Sequence, residues 1–298
     1  MRKILSLTVL IILMPYALLF AGLSDGIIAY YPLDGNLVDE SGNQNDALGT
    51  SISFNSGKIK QAAMFDGISS NIQLDKNTFW SIANNFSVSF WIYPVEPHEI
   101  DSESTSGYAG TKGQKYAFNP IWAAGNSDAG FGISVGNNGI SVYEHAANYM
   151  PALLVWKSPT LIDKWTHVAI IYNNIQPYLY INGQLTKIGI KSLRTNVHMT
   201  YIIGTMAYGN FKGLIDNVHI FNRSLSSLEV DNLYNSESQS PVTGCVQILG
   251  KPISSSSAML IQSGEYHQKV ELDESGCYMF NQVIQEKPFS IIIRKQVE

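Results

Sequence analysis

The sequence predicts an all-β protein, in which an antiparallel sandwich of two sheets is followed by a smaller β unit. The composition favours strands, since 16 Tyr, 12 Phe and 5 Trp accompany 24 Gly, and aromatic residues fit a pleated, half-buried surface. Many short apolar runs are separated by Gly/Asn turns, and one segment alone has a helical pattern. With 45% hydrophobic and 14% charged residues in 298, the chain can bury a core.

Residues 1–21 have the pattern of a secretory signal peptide. A basic start precedes an apolar run, and the small residue Ala21 marks the predicted cleavage point. An uncleaved membrane anchor is the alternative, because the run approaches spanning length. Pro15 and the small residues at the end of the run favour cleavage, which predicts a secreted or cell-surface protein.

The charge of the mature chain excludes two classes of partner. Removing residues 1–21 leaves 17 basic against 24 acidic residues, a net charge of about −7. No cluster of Lys and Arg interrupts this acidity. We therefore expect no binding to nucleic acid, and no membrane insertion after signal cleavage.

Strand patterns dominate from about residue 27 onward. Residues 86–94 (FSVSFWIYP) alternate between an apolar face and a mixed face, as a strand does. Residues 178–190 contain Asn182-Gly183 between two apolar runs, which predicts a two-residue hairpin turn with positive φ at both positions. Residues 131–145 form a second predicted hairpin, so the spacing of strands and turns indicates a sandwich.

The end of the chain contains one predicted helix, a linker and a small β unit. The helix covers residues 224–235, where Ser226 and Glu229 have the spacing of a capping box. The polar residues 236–244 predict a linker. Five short strands are expected after it, in residues 244–249, 257–262, 267–272, 276–280 and 289–294.

Cys245 and Cys277 are the two cysteines of the chain. Export would place them in an oxidising compartment, where such a pair normally forms a disulfide. Metal binding is the weaker alternative, because neither cysteine has Cys or His neighbours at metal-ligand spacing. The bond would stabilise the small C-terminal unit by about 3 to 4 kcal/mol on the chain-entropy model.

Five segments, in order, resemble bacterial laminin G-like domains of the concanavalin A-like lectin/glucanase superfamily: residues 26–46, 62–74, 86–94, 163–185 and 211–235. The resemblance implies a two-sheet jelly roll over about residues 24–237. The segments VTGCVQILGKPI and ESGCYMF resemble a carboxypeptidase regulatory-like β-sandwich over residues 241–298. Such domains are usually non-catalytic, bind glycans or extracellular proteins, and often hold a structural calcium.

The resemblance implies that Asp39, Asn43 and Asp216 are calcium ligands. Asp216 falls on the apolar face of its strand, and a buried carboxylate needs a cation or donors. The acidic, Asn-rich turn at residues 39–46 offers the oxygen ligands that Ca²⁺ prefers. Alternatively, the turn is merely solvated, and Asp216 accepts a backbone N–H or pairs with Arg223.

Five residues are candidates for ligand binding. Trp122, Tyr149 and Tyr208 lie near Gly/Asn-rich turns, where their rings could stack on a sugar. Glu144 and His145 end a strand and could add hydrogen bonds. The alternative for each is a place in the core, where most aromatic side chains of such a protein lie.

Glu99, Asp101 and Glu103 imitate the catalytic strand of laminarinase-type glycoside hydrolases. Positions i and i+4 on a strand lie about 13 Å apart by rise, whereas a retaining hydrolase needs about 5 to 5.5 Å between its carboxyl groups. Ser102 and the polar residues around the motif indicate a loop. The sequence therefore predicts a non-catalytic recognition or adhesion module, with a hydrolase or a structural unit of a surface appendage as alternatives and the oligomeric state undetermined.

Overall fold

The computed structural model describes residues 23–245, 247–248, 251–252, 256–262, 265–275, 277–284 and 289–295. The predicted signal peptide, residues 1–21, lies outside these ranges. Within them, no helix combines the length and apolarity needed to cross a membrane. The chain divides into two compact units, Met1–Val230 and Asp231–Glu298.

Strands make up nearly all of the regular secondary structure of the first unit. They are β1 (Ile27–Tyr31), β2 (Leu48–Thr50), β3 (Ser53–Ser56), β4 (Gln61–Asp66), β5 (Asn71–Gln73), β6 (Phe86–Pro94), β7 (Tyr116–Phe118), β8 (Asp128–Gly136), β9 (Gly139–His145), β10 (Ala152–Lys157), β11 (Thr166–Asn173), β12 (Gln176–Ile181), β13 (Gln184–Ile188), β14 (Asn196–His198), β15 (Ile202–Gly204) and β16 (Lys212–Phe221). The helices are α1 (Lys76–Trp80) and α2 (Ser227–Ser238), and the second contains the boundary between the units.

These strands form two eight-stranded sheets, which confirms the predicted all-β sandwich. The first sheet has the order β13-β12-β11-β6-β16-β4-β3, with β1 also paired to β16. The second has the order β10-β9-β8-β7-β15-β5-β2, with β14 also paired to β8. The pairs are antiparallel except β14 with β8. Consecutive strands pair with each other from β7 to β10 in the second sheet and from β11 to β13 in the first.

The core lies between the sheets and follows the predicted alternation of β6. Phe86, Val88, Phe90 and Ile92 are all buried in the main apolar cluster. The opposite face of β6 is buried as well, which alternation alone does not predict. Its polar members have partners there: Ser89 Oγ lies 2.7 Å from Nε2 of a buried histidine on β11.

The predicted hairpin turn between β12 and β13 is confirmed. Asn182 has φ +49° and Gly183 has φ +78°, so both residues adopt the left-handed conformation that a type I′ turn requires. The Asn182 side chain also accepts a hydrogen bond of 3.0 Å from the backbone N–H of His167. This turn fixes the register of the edge strand.

The predicted capping box is present at the start of α2. The backbone N–H of Ser226 donates to Glu229 Oε2 at 2.8 Å, and the N–H of Glu229 donates back to Ser226 Oγ at 3.3 Å. The helix runs to residue 238 and a strand begins at residue 239. The prediction of a linker at residues 236–244 is therefore wrong, because these polar residues lie at the end of the helix and in a strand that pairs with residues 277–284.

The second unit contains short strands in separate small sheets. They are β17 (Gln239–Cys245), β18 (Gln247–Ile248), β19 (Lys251–Pro252), β20 (Ser256–Gln262), β21 (Glu265–Glu271), β22 (Cys277–Ile284) and β23 (Phe289–Lys295). Ala258, Leu272 and Phe280 form its buried cluster. Cys245 and Cys277 are direct partners across β17 and β22. The carboxypeptidase regulatory-like assignment and the disulfide stay predictions.

Candidate functional site

An open cleft of about 430 Å³ lies beside the second sheet. Its walls come from α1, from the segment that precedes β8, and from residues on either side of β15. Three of its seven lining side chains are aromatic: the residues are Lys76, Trp80, Ile121, Trp122, Ala124, Tyr201 and Met206. We call this feature the aromatic cleft.

The short helix α1 positions Lys76 and Trp80 at the cleft. Asp75 is its N-cap, and the Asp75 carboxylate accepts a hydrogen bond of 2.7 Å from the Thr78 N–H. Phe79 is fully buried in the main core and anchors the helix. Lys76 and Trp80 are the first and last residues of this helix, and both line the cleft.

Trp80 is held rigidly by two rings. Its indole stacks on the His198 imidazole with centroids 4.6 Å apart and planes 11° apart. Tyr201 meets it edge-on at 6.4 Å and 78°. His198 Nδ1 also lies 2.9 Å from the Trp80 carbonyl oxygen. The aromatic wall is therefore preorganised, which lowers the entropy cost of binding a ligand.

Trp122, a predicted ligand residue, also lines the cleft and is 55% exposed. It lies on an irregular segment that runs against β8 and β9. A Cβ at Gly130 of β8 would collide with the Ile121 backbone, so a glycine there permits the close approach. The N–H of Ala123 donates to the His145 carbonyl oxygen at 3.4 Å. A large apolar ring is thus presented to solvent by an anchored backbone.

His145 and Tyr208, two further predicted ligand residues, meet at the same segment. His145 Nδ1 lies 3.2 Å from the Pro120 carbonyl oxygen, and its ring contacts the Tyr208 ring edge-on at 5.1 Å. Burial lowers the pKa of His145, so the imidazole is neutral at pH 7. The structure therefore brings His145 and Tyr208 together, but of the five predicted ligand residues it is Trp122 that lines the aromatic cleft.

The remaining two predicted ligand residues, Glu144 and Tyr149, lie in the interior. Glu144 is 1% exposed and accepts hydrogen bonds from Tyr172 Oη at 3.2 Å and Ser192 Oγ at 2.5 Å. Tyr149 is 6% exposed, and the Arg194 guanidinium covers its ring at 4.0 Å. His145 is likewise buried, at 7% exposed, although alternation along β9 places it on the opposite face from Glu144.

Asp39 and Asn43, predicted calcium ligands, form hydrogen bonds within their own turn and with β1. The Asp39 carboxylate accepts hydrogen bonds from the N–H groups of Tyr30, Ser41 and Asn45 at 2.9, 2.9 and 3.0 Å. Although burial opposes its charge, these donors lower the pKa of Asp39. Asn43 Nδ2 donates to the Ile27 carbonyl oxygen at 2.8 Å.

Asp216, the third predicted ligand, is fully buried on β16. Its Oδ2 accepts a hydrogen bond of 2.9 Å from the Ile59 N–H, whereas Oδ1 has no hydrogen-bond partner in the described part of the chain. Burial raises the pKa of Asp216 to about 7. Across the described ranges, no group of three or more His, Cys, Asp or Glu side chains is placed to hold a metal ion.

Glu99, Asp101 and Glu103 lie in an irregular loop, as the sequence predicts. Asp101 Oδ2 accepts hydrogen bonds from Tyr143 Oη at 2.6 Å and Gln114 Nε2 at 2.8 Å. Glu103 Oε1 accepts one of 2.9 Å from the Val155 N–H and pairs with Lys187 at 2.8 Å. Two of the three carboxylates thus fasten the loop to the second sheet and do not form a catalytic strand.

Sequence reasoning missed six of the seven residues that line the aromatic cleft: Lys76, Trp80, Ile121, Ala124, Tyr201 and Met206. The Asp75 cap followed by Phe79 and Trp80 was a signal for a short helix with an aromatic end, but five residues are too few for a helical period. Tyr201 lies far from Trp80 in the sequence, and strand pairing alone brings them together. No sequence pattern connects these residues.

Residues 65–231 match the family model Laminin_G_3, described as the concanavalin A-like lectin/glucanases superfamily. A curated relative, the non-toxic nonhemagglutinin of Paraclostridium bifermentans, is 25% identical over 212 residues, which cover 67% of this chain and 16% of that relative. The chain therefore spans about a sixth of that relative's length.

Solved structures with the same fold include bacterial toxin domains. The binding domain of Paraclostridial Mosquitocidal Protein 1 has a TM-score of 0.56 at 19% identity, over 80% of this chain and 59% of that one. A structure of botulinum neurotoxin type C, whose cell entry depends on two ganglioside molecules, has a TM-score of 0.56 at 16% identity, over 81% and 58%. The binding domain of botulinum neurotoxin DC in complex with SialylT scores 0.53 at 18% identity, over 80% and 57%.

Proposed function

Because this chain belongs to the laminin G-like family of the concanavalin A-like lectin/glucanase superfamily, we propose that it is a secreted, non-catalytic module that recognises a glycan in the aromatic cleft. The observation that carries the proposal is that the exposed Trp122 lines one cleft together with Trp80 and Tyr201. The relatives named above are toxin-associated proteins or domains, and several are binding domains, which supports recognition as the function.

The chemistry of the cleft suits a sugar ring. The C–H faces of a pyranose are apolar and flat, so a tryptophan indole can cover one of them, while hydroxyl groups at the ring edge meet polar atoms. Trp80 supplies a second aromatic surface that stacking on His198 already holds in place. A small apolar site with a few polar groups at its margin is the common form of a ligand pocket.

A protein partner is the second candidate occupant of the same surface. Exposed Trp122 and Met206 (55% and 53% exposed) are residue types enriched at protein interfaces. The two occupants differ in what they require: a glycan needs Trp122 alone as a platform, whereas a stable protein interface needs roughly 800 Å² on each partner. The volume of the cleft, about 430 Å³, is in the range of small-ligand pockets, which favours the glycan.

A hydrolase is disfavoured by the state of the acidic loop. Asp101 and Glu103 are occupied by Tyr143, Gln114, Val155 and Lys187. An acid and a nucleophile on opposite sides of a scissile bond need open access to it. Neither carboxylate lines the aromatic cleft.

A glycan array tests the proposal. Wild type, Trp122→Ala and Tyr108→Ala would be probed in parallel, since Tyr108 is equally exposed (58%) and does not line the cleft. We expect wild type and Tyr108→Ala to bind the same glycans and Trp122→Ala to bind none. Binding by Trp122→Ala at wild-type strength would exclude the cleft as the site.

A further inference from the structure

We propose that the aromatic cleft selects acidic glycans, whose sugars carry a carboxylate or a sulfate, and that Lys76 makes this selection. The inference rests on the proposed function and specifies the class of ligand. It follows from the hydrogen-bonding character of the cleft and from the charge of a single side chain.

Donors dominate the polar groups of the cleft. Its lining side chains carry the Lys76 ammonium, two indole N–H groups and the Tyr201 hydroxyl, while the remaining members are apolar. An ammonium and an indole N–H can donate but cannot accept a hydrogen bond. Neutral sugars present hydroxyl groups that both donate and accept. An anionic substituent, which only accepts, matches such a lining.

Lys76 is the charged side chain among the residues that line the cleft. It is exposed, and in the described part of the chain it makes no ion pair; its Nζ lies 6.0 Å from the centroid of the Tyr201 ring. Its neighbour Asp75 accepts the N–H of Thr78 as the helix cap. The ammonium therefore stands beside an aromatic face, and no carboxylate lines the cleft with it.

An acid behind the aromatic wall, Asp128, has its own partners. Asp128 Oδ2 lies 3.6 Å from His198 Nε2, and Asp128 Oδ1 accepts a hydrogen bond of 3.0 Å from Asn196 Nδ2. His198 stacks on Trp80, so the indole stands between this acid and the cleft. In a chain with 24 acidic residues, the lining of this cleft contains one cation and no anion, which favours anionic ligands over cationic ones.

Matched glycans test the inference. The probes are the methyl glycosides of glucose, glucuronic acid and 6-sulfated glucose, each titrated into wild type while the Trp indole N–H signals are followed by NMR. The three share one ring and differ in the anionic group, so carboxylate and sulfate are separated from each other and from the neutral sugar. The variants are Lys76→Gln, Lys76→Arg and, as a matched control, Lys157→Gln on an exposed lysine of β10.

We expect the acidic sugars to bind wild type about tenfold more tightly than the neutral one, as a charge-assisted hydrogen bond provides, and this preference to shrink at high salt. Lys76→Gln should abolish the preference, whereas Lys76→Arg and Lys157→Gln should keep it. Equal binding of all three probes by wild type, or a preserved preference in Lys76→Gln, would overturn the inference and leave the glycan site intact. No binding of any sugar by wild type would reject the proposed function itself.

Discussion

The carboxyl group of Glu144 on β9 accepts a hydrogen bond of 3.2 Å from the hydroxyl group of Tyr172 on β11, and so joins the two sheets of the sandwich through one buried acid. Ser192 Oγ donates a second hydrogen bond of 2.5 Å to the other oxygen. Burial raises the pKa of Glu144 to about 7, against these lowering hydrogen bonds. The folded protein therefore holds this proton more tightly than the unfolded chain does.

This linkage predicts how stability depends on pH. The contribution of neutral Glu144 is fully present below its unfolded pKa of about 4.5 and is lost as the pH rises through about 7. Glu144→Gln should match wild type near pH 4.5 and exceed it above pH 8, by on the order of 3 kcal/mol. Urea denaturation across this range measures the difference.

Glu40→Gln is the control for that series, because Glu40 is exposed. Its effect on the free energy of unfolding should be small and nearly constant with pH. A constant difference between Glu144→Gln and wild type from pH 4.5 to 8.5 would show that Glu144 does not carry the proton.

Asp101 is expected to stabilise the loop that covers the second sheet. Asp101→Ala removes the acceptor of the fully buried Tyr143 hydroxyl and should cost about 1 to 3 kcal/mol, the usual penalty for a buried polar group left unpaired. The urea midpoint measures this loss. Glu99→Gln, a change at an exposed side chain of the same loop, should leave the midpoint unchanged; an equal loss in both variants would contradict the assignment.

Calcium is predicted to stabilise the first unit. In the described part of the chain the buried Oδ1 of Asp216 has no hydrogen-bond partner, which leaves it available as a cation ligand, whereas the Asp39 carboxylate already accepts three N–H groups. Added CaCl₂ should raise the melting temperature and EDTA should lower it, as binding to the folded state requires. Asp216→Asn should lose this response. A melting temperature that ignores both additions in wild type would reject the calcium site.

Cys245 and Cys277 are predicted to form a disulfide between paired strands. Digestion without reductant should yield one pair of linked peptides, which separate on reduction. Cys277→Ser should unfold at a lower denaturant concentration than wild type, because its free energy of unfolding falls by about 2 to 5 kcal/mol. Two free thiols in protein purified from an oxidising compartment would contradict the bond.

The sequence predicted the sandwich because its evidence is local. The alternation in β6 and the Asn182-Gly183 turn each depend on neighbouring residues, and both agree with the structure. The capping box at Ser226 is local as well. Polar composition misled at residues 236–244, where backbone pairing with β22 outweighs propensity.

The candidate site was predictable only in part. Trp122 was selected because it lies near Gly/Asn-rich turns, and in the structure it lines the cleft. Glu144 and Tyr149 look equivalent to it in sequence, but the strand face of Glu144 and the guanidinium over Tyr149 place them inside. Trp80 joins the cleft through α1 and His198, a contact between distant segments that no periodicity encodes.

Glycan recognition in the aromatic cleft is tested most directly by isothermal titration calorimetry. This experiment measures the affinity of the strongest array ligand for wild type, Trp122→Ala and Tyr108→Ala. We predict that Trp122→Ala weakens binding at least about 30-fold, the equivalent of an interface hot spot of about 2 kcal/mol, with an unchanged melting temperature. Tyr108→Ala should bind as wild type does. Equal affinity in all three proteins would contradict glycan recognition in the aromatic cleft.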